Sequence, residues 1–138
     1  MKILLDTNII LDYALQREGF WKEAEAVFRL TETGKNIEFV SSSAVTDIFY
    51  MLRKYYGDSF KAQEKLKSIR KLVHILEVSD ADIDYALLLQ WKDFEDAVQY
   101  AVAIDYQLDA IVTRNVKDFE LREIPVMTPS EILAAFQK

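Results

Sequence analysis

The chain has 138 residues, 51% of them apolar, with only three Gly, two Pro and a formal charge of −6. That is the size and make-up of one domain with its own core, so a disordered chain or long structureless loops are excluded. The absence of Cys removes disulfides, zinc–thiolate sites and thiol nucleophiles, and no apolar run approaches a membrane span.

Residues 2–5, KILL, read as a buried strand, and NIILDYALQ (8–16) follows with helical spacing of Ile9, Leu11, Ala14 and Leu15. GFWKEAEAVFRLTETG is an amphipathic helix ended by Gly34, and IEFV (37–40) a short second strand. SSSAVTDIFYMLRKYYG opens with serines suited to capping and closes at Gly57. SFKAQEKLKSIRKL is a further helix, with Phe60, Leu66, Ile69 and Leu72 on its expected buried side. VHILEV (73–78) is the third strand. Ser79 or Asp80 caps ADIDYALLLQW, and Asp93 opens the apolar helix FEDAVQYAVAIDYQL. AIVT (110–113) and IPVM (124–127) are the last strands, and Thr128-Pro129 start a final helix.

Short apolar strands separated by helices imply a parallel sheet covered on both faces. The expected fold is α/β: a three-layer α/β/α sandwich with a five-stranded, mainly parallel sheet, as one domain over residues 1–138. A single Lys ahead of the first strand is no signal peptide, so a cytoplasmic protein without a membrane partner is expected.

The negative total conceals a basic stretch. Residues 53–71 hold seven Lys and Arg against Asp58 and Glu64. Such a stretch is either a solvated helix face or an electrostatic docking surface, with Lys61 and Lys65 as candidate contacts to a polyanion.

Ligands of open α/β sheets bind beyond the carboxyl ends of the strands. Asp6 directly follows the first strand. Asp47 lies in the first turns of the helix after the second, Asp96 in the first turn of the helix leading to the fourth, and Asn115 and Asp118 just after the fourth. Each carboxylate also has a capping explanation, including a capping-box-like start at Asp93 and Asp96. Jointly they argue for a cation, because packed carboxylates repel one another unless neutralised, and oxygen ligands suit Mg²⁺ or Mn²⁺. Other chemistries are poorly supplied. The one histidine, His74, sits in a predicted strand and is read as a residue of a sheet edge. No glycine-rich phosphate loop is present. Metal-assisted hydrolysis of a phosphodiester remains.

LLDTNIIL, SSSAVTDIFYML, DFEDAVQYAVA and DAIVTRNVKDF, followed by IPVMTPSEIL, resemble PIN-domain proteins, and most of all the bacterial branch of stand-alone domains and VapC-type toxins. The resemblance runs over nearly the whole chain. It implies a Mg²⁺- or Mn²⁺-dependent endoribonuclease that leaves a 5′-phosphate and a 3′-hydroxyl on single-stranded or structured RNA. Asp6 and Asp96 match metal-ligating acids, and Asp47 stands where the family usually carries Glu. Asn115 replaces the usual fourth acid, a charge that Asp118 is placed to supply. Asn8 and Thr113 match the polar residues that support the site, and Arg114 lies beside it as a candidate phosphate contact. The resemblance further implies a homodimer and an antitoxin protein as partner. Asn115 and Asp47 leave open a second reading, a catalytically degenerate PIN-fold binding or scaffold module. A phosphohydrolase using Asp6 as nucleophile lacks the second Asp two residues on, where Asn8 stands.

Overall fold

Ile3 and Leu5 face one side of the sheet and Leu4 the other, and all three are completely buried. A strand that is apolar on both faces can sit only at the centre of a covered sheet. The computed structural model describes residues 1–137 and places it there. The strands are β1 (Lys2–Leu5), β2 (Ile37–Ser41), β3 (His74–Leu76), β4 (Ala110–Val112) and β5 (Val126–Met127). They form one sheet in the order β3-β2-β1-β4-β5, and every pairing is parallel rather than merely most of them.

The described residues also form seven α-helices: α1 (Thr7–Ala14), α2 (Trp21–Arg29), α3 (Ser42–Tyr56), α4 (Ser59–Arg70), α5 (Asp80–Leu89), α6 (Phe94–Asp105) and α7 (Pro129–Ala135). Ile3, Leu5, Val40 and Val112 pack against apolar residues of α1, α2, α3, α4 and α7. Leu4 and Ile111 pack against α5 and α6, with Phe119 and Tyr100 completing that core. The result is the expected three-layer sandwich. Because β2 and β4 flank β1 on opposite sides, the chain reverses its direction of travel across the sheet at β1. The carboxyl end of β1 is therefore the switch point at which a crevice opens.

Three local expectations change. The helix expected to run to Gly34 stops at Arg29 and tightens into a 3₁₀ turn, Leu30–Thr33, before Gly34 turns left-handed (φ 73°). Phe60 is 79% exposed and Leu72 is exposed too, against the buried side assigned to them. The reason is the helix start: Asp58 caps α4 by accepting from the amides of Phe60 and Lys61, and the inward row becomes Ala62, Leu66, Ile69. The serines at the start of α3 make no side-chain cap: Ser41 holds the N-cap position without such a bond. Ser41 Oγ pairs with Ser43 Oγ at 2.8 Å, and Ser42 Oγ accepts from the Val78 amide, tying the ends of β2 and β3 together. His74 lies exposed on the edge strand β3, where the sequence puts it.

Candidate functional site

β1 delivers Asp6 to the carboxyl edge of the sheet, and its amide donates to the Val112 carbonyl, extending the ladder with β4 by one bond. Asp6 is also the N-cap of α1. Its carboxylate takes three further donors: the Thr7 amide at 2.7 Å and Gln99 Nε2 at 3.0 Å on Oδ1, and Thr113 Oγ1 at 2.7 Å on Oδ2. Thr113, the residue after β4, accepts in turn from the Asn115 amide. Asp6 and Thr113 are both buried.

α6 carries the second wall. Asp93 caps it by accepting from the Asp96 amide, which is the expected helix start without the reciprocal bond of a full box. This leaves Asp96 in the first turn, 7% exposed, with Gln99 one turn on. Gln99 Nε2 bridges Asp6 and Asp96, reaching the latter at 3.4 Å. Carboxylate oxygens of Asp93, Asp96 and Asp118 lie within 4.8 Å of one another. Burial pushes the Asp96 carboxyl up to about 8, and the charges of Asp6, Asp93 and Asp118 push the same way. Asp47 completes the arrangement from α3. It pairs with Glu95, whose carboxyl is raised first by burial and then by the charge and hydrogen bond of Asp47.

Asp6, Asn8, Asp47, Asp93, Asp96 and Asn115 line a cleft of about 310 Å³, with Gln99, Thr113 and Asp118 bonded to or crowding its acids. The structure thus brings together Asp6, Asp47, Asp96, Asn8, Thr113, Asn115 and Asp118. Lys61 and Lys65 do not line the cleft; both are on α4, and Lys65 Nζ lies 6.0 Å from the centre of the Tyr13 ring. Arg114 does not line it either. Its Nε lies 2.8 Å from Asp12 Oδ2, its Nη2 donates to Asp12 Oδ1, and its guanidinium sits 4.0 Å from the centre of the Phe20 ring. The sequence position beside the site suggested a phosphate contact. The buried charge of Asp12 claims the side chain instead.

Five participants were missing from the residues expected at the site: Asp12, Arg17, Asp93, Glu95 and Gln99, with Asp93 expected only as a cap. Gln99 had a signal, as the one amide in the apolar run AVQYAVA, three residues and one helical turn after Asp96. Asp12 likewise interrupts IILDYAL, but its partner Arg114 lies 102 residues away.

The donor set is the chemistry of a hard divalent cation: carboxylate and amide oxygens only. Among the described residues, no Lys or Arg makes an ion pair with Asp6, Asp47, Asp93, Asp96 or Asp118. Gln99 Oε1 is buried beside them without a hydrogen-bond partner. Crowded carboxylates of this kind are relieved by protonation or by a cation, and the donors present suit a hard divalent one.

Residues 2–117 match the family model of the PIN domain. The chain is 28% identical over 135 residues to "Ribonuclease VapC1" of Aquifex aeolicus, covering 94% of this chain and 92% of the relative. Among solved structures, VapBC2 from Rickettsia felis bound to a promoter DNA fragment superposes with a TM-score of 0.70 at 19% identity, over 93% of this chain and 98% of that one. A toxin–antitoxin complex from Klebsiella pneumoniae gives 0.68 at 25% identity, over 92% and 97%.

Proposed function

The chain belongs to the PIN-domain family, and on that premise we propose that it is a divalent-metal-dependent endoribonuclease, the toxin of a toxin–antitoxin pair. The observation that carries this reading is Asp96: a buried carboxylate tied through Gln99 to Asp6, crowded by Asp93 and Asp118, and left without a cation. Asp6 and Asp96 would hold a Mg²⁺ or Mn²⁺ ion, which would supply activation of water and offset charge on the phosphate.

The chain's own side chains divide the remaining work. Thr113, Gln99 and the Thr7 amide fix Asp6 in one orientation, so ligand geometry is set before substrate arrives. Asp47 enters the cleft from α3, across from the α6 residues Glu95 and Asp96, and that position suits it to orient the attacking water. Asp118 adds the charge that Asn115 lacks, and Asn115, with Asn8, offers uncharged polar contacts at the rim. A second copy of the chain and an antitoxin complete the proposed assembly; the antitoxin is in keeping with the toxin–antitoxin complex from Klebsiella pneumoniae.

The test is cleavage of single-stranded RNA in Mn²⁺, with EDTA and Asp96→Asn as controls. Loss of cleavage in both is expected; equal activity in EDTA overturns the proposal. The exposed Asn115 in place of an acid favours one rival, the degenerate binding module. It predicts RNA binding with no cleavage and no shift of melting temperature at millimolar Mn²⁺.

A further inference from the structure

We infer that Arg17 and Tyr50 form the grip of this cleft on a single-stranded nucleotide, Arg17 taking a phosphate and Tyr50 stacking a base. The inference rests on the ribonuclease reading and names the substrate contacts of the same site.

Arg17 is the one cationic side chain among those lining the acidic cleft. Its position is built. α1 ends at Ala14, and Gln16 takes a left-handed conformation (φ 48°) that a non-glycine residue adopts at a cost. The chain then doubles back, and the Arg17 amide donates to the Asp12 carbonyl. Nη1 donates to Asn8 Oδ1 at 3.1 Å and to Asp12 Oδ1 at 3.4 Å. One corner of the guanidinium is thereby fixed. Nε and Nη2 have no protein partner among the described residues, and together they form the planar fork that suits two phosphate oxygens. Arg114 differs, because Asp12 and the Phe20 ring engage it from two sides.

Tyr50 stands on α3 one turn after Asp47, lines the same cleft and is 61% exposed. A ring at that spacing shares the helix face of the carboxylate. An aromatic face beside a cation accepts a splayed base whose phosphate the cation holds, and a base inside a duplex does not offer that face. Carboxylates alone would repel the backbone; a fixed guanidinium sets where the phosphate lies among them.

The experiment pairs cleavage in Mn²⁺ with anisotropy of a fluorescein-labelled single-stranded oligoribonucleotide in Ca²⁺. Arg17→Ala should weaken binding and raise KM about tenfold with a smaller change in kcat, and lower the salt slope of log K by about 0.7, the share of one single-strand phosphate. Tyr50→Ala should weaken binding roughly five- to tenfold, the lower range for loss of one stacked base, while Tyr50→Phe behaves as wild type. Tyr50 is exposed, so its variants test the inference even where loss of Arg17 unsettles Asp12. Unchanged affinity and salt slope in both alanine variants, with wild-type cleavage intact, overturn the grip and leave the ribonuclease reading standing. Wild-type binding without cleavage overturns the ribonuclease reading, and the anisotropy of the variants still decides the grip. No binding and no cleavage by the wild type overturn both.

Discussion

Asp96 and Asp12 are both buried acids, on α6 and α1, and burial raises both carboxyls above the ordinary range. Their surroundings are opposite. Asp12 is met by Arg114 and Arg17, which pull its carboxyl back down. Asp96 is met by Asp6, Asp93 and Asp118, which push its carboxyl further up to about 8. The same fold therefore sets its own arginines against one buried acid and surrounds the other with acids, an arrangement that suits the proposed cation. An uncompensated cluster opposes folding, and a function that needs the charge explains its presence.

The sharpest break of this contrast is Asp96→Asn. Removing one ligand of the proposed ion should lower cleavage by on the order of 10³-fold, equivalent to several kcal/mol of transition-state stabilisation. In EDTA the same variant should melt higher than wild type, because a neutral side chain relieves the crowding. In Mn²⁺ the order should reverse. A variant that melts lower than wild type in EDTA would show that Asp96 is structural after all. Asp12→Asn should do the reverse: a loss of about 2 kcal/mol in chemical denaturation with or without metal, scaled down from the roughly 3–5 kcal/mol of a fully buried pair because both arginines are partly exposed. Equal stability of Asp12→Asn and wild type would erase the distinction between the two acids.

The contrast was only half legible in the sequence. Short apolar runs announced every strand, but only the strand order of the structure, with β2, β1 and β4 at the centre, brings Asp6, Asp47, Asp96, Thr113 and Asn115 to one sheet edge. Local signals also located Asp118 after β4. What stayed hidden were partnerships across the fold. Nothing within the TRN segment shows that Arg114 closes on Asp12, or that Arg17 rather than Arg114 lines the cleft. Phe60 failed for a related reason: its helical phase is set by the Asp58 cap, and apolar character alone gives no phase. Gln99 was the recoverable omission, since an amide in an apolar helix turn needs a partner.

Gln99 also refines the contrast, because among the described residues it is the only donor that touches both Asp6 and Asp96. Gln99→Leu removes that bridge while filling the space. Mn²⁺ affinity, read by titration calorimetry, should fall about tenfold, the lower range for a group that orients metal ligands. The stability difference between the variant and wild type should be larger in Mn²⁺ than in EDTA. An unchanged Mn²⁺ affinity would reduce Gln99 to core packing.

Glu38 supplies the control between the two cases. It lies on β2, 1% exposed, with neither carboxylate oxygen hydrogen-bonded, and burial alone pushes its carboxyl from 4.5 to about 8. It has neither the arginines of Asp12 nor the acidic neighbours of Asp96. Because the folded state holds this proton more tightly than the unfolded chain, the contribution of Glu38 is fully present below pH 4.5 and declines as pH rises through the interval to about 8. The slope over that interval is about 1.4 kcal/mol per pH unit, one proton per unfolding event. Glu38→Gln carries no such proton, so the stability difference between variant and wild type should grow in favour of the variant from pH 5 to pH 8 and then level off. Denaturation at successive pH values, in EDTA so that the cleft stays metal-free in both proteins, measures that difference directly, and the titration of Asp96 cancels between them. A flat difference across the interval would mean that water or a cation reaches Glu38, and the cleft would then no longer be unique in looking outside the chain for compensation.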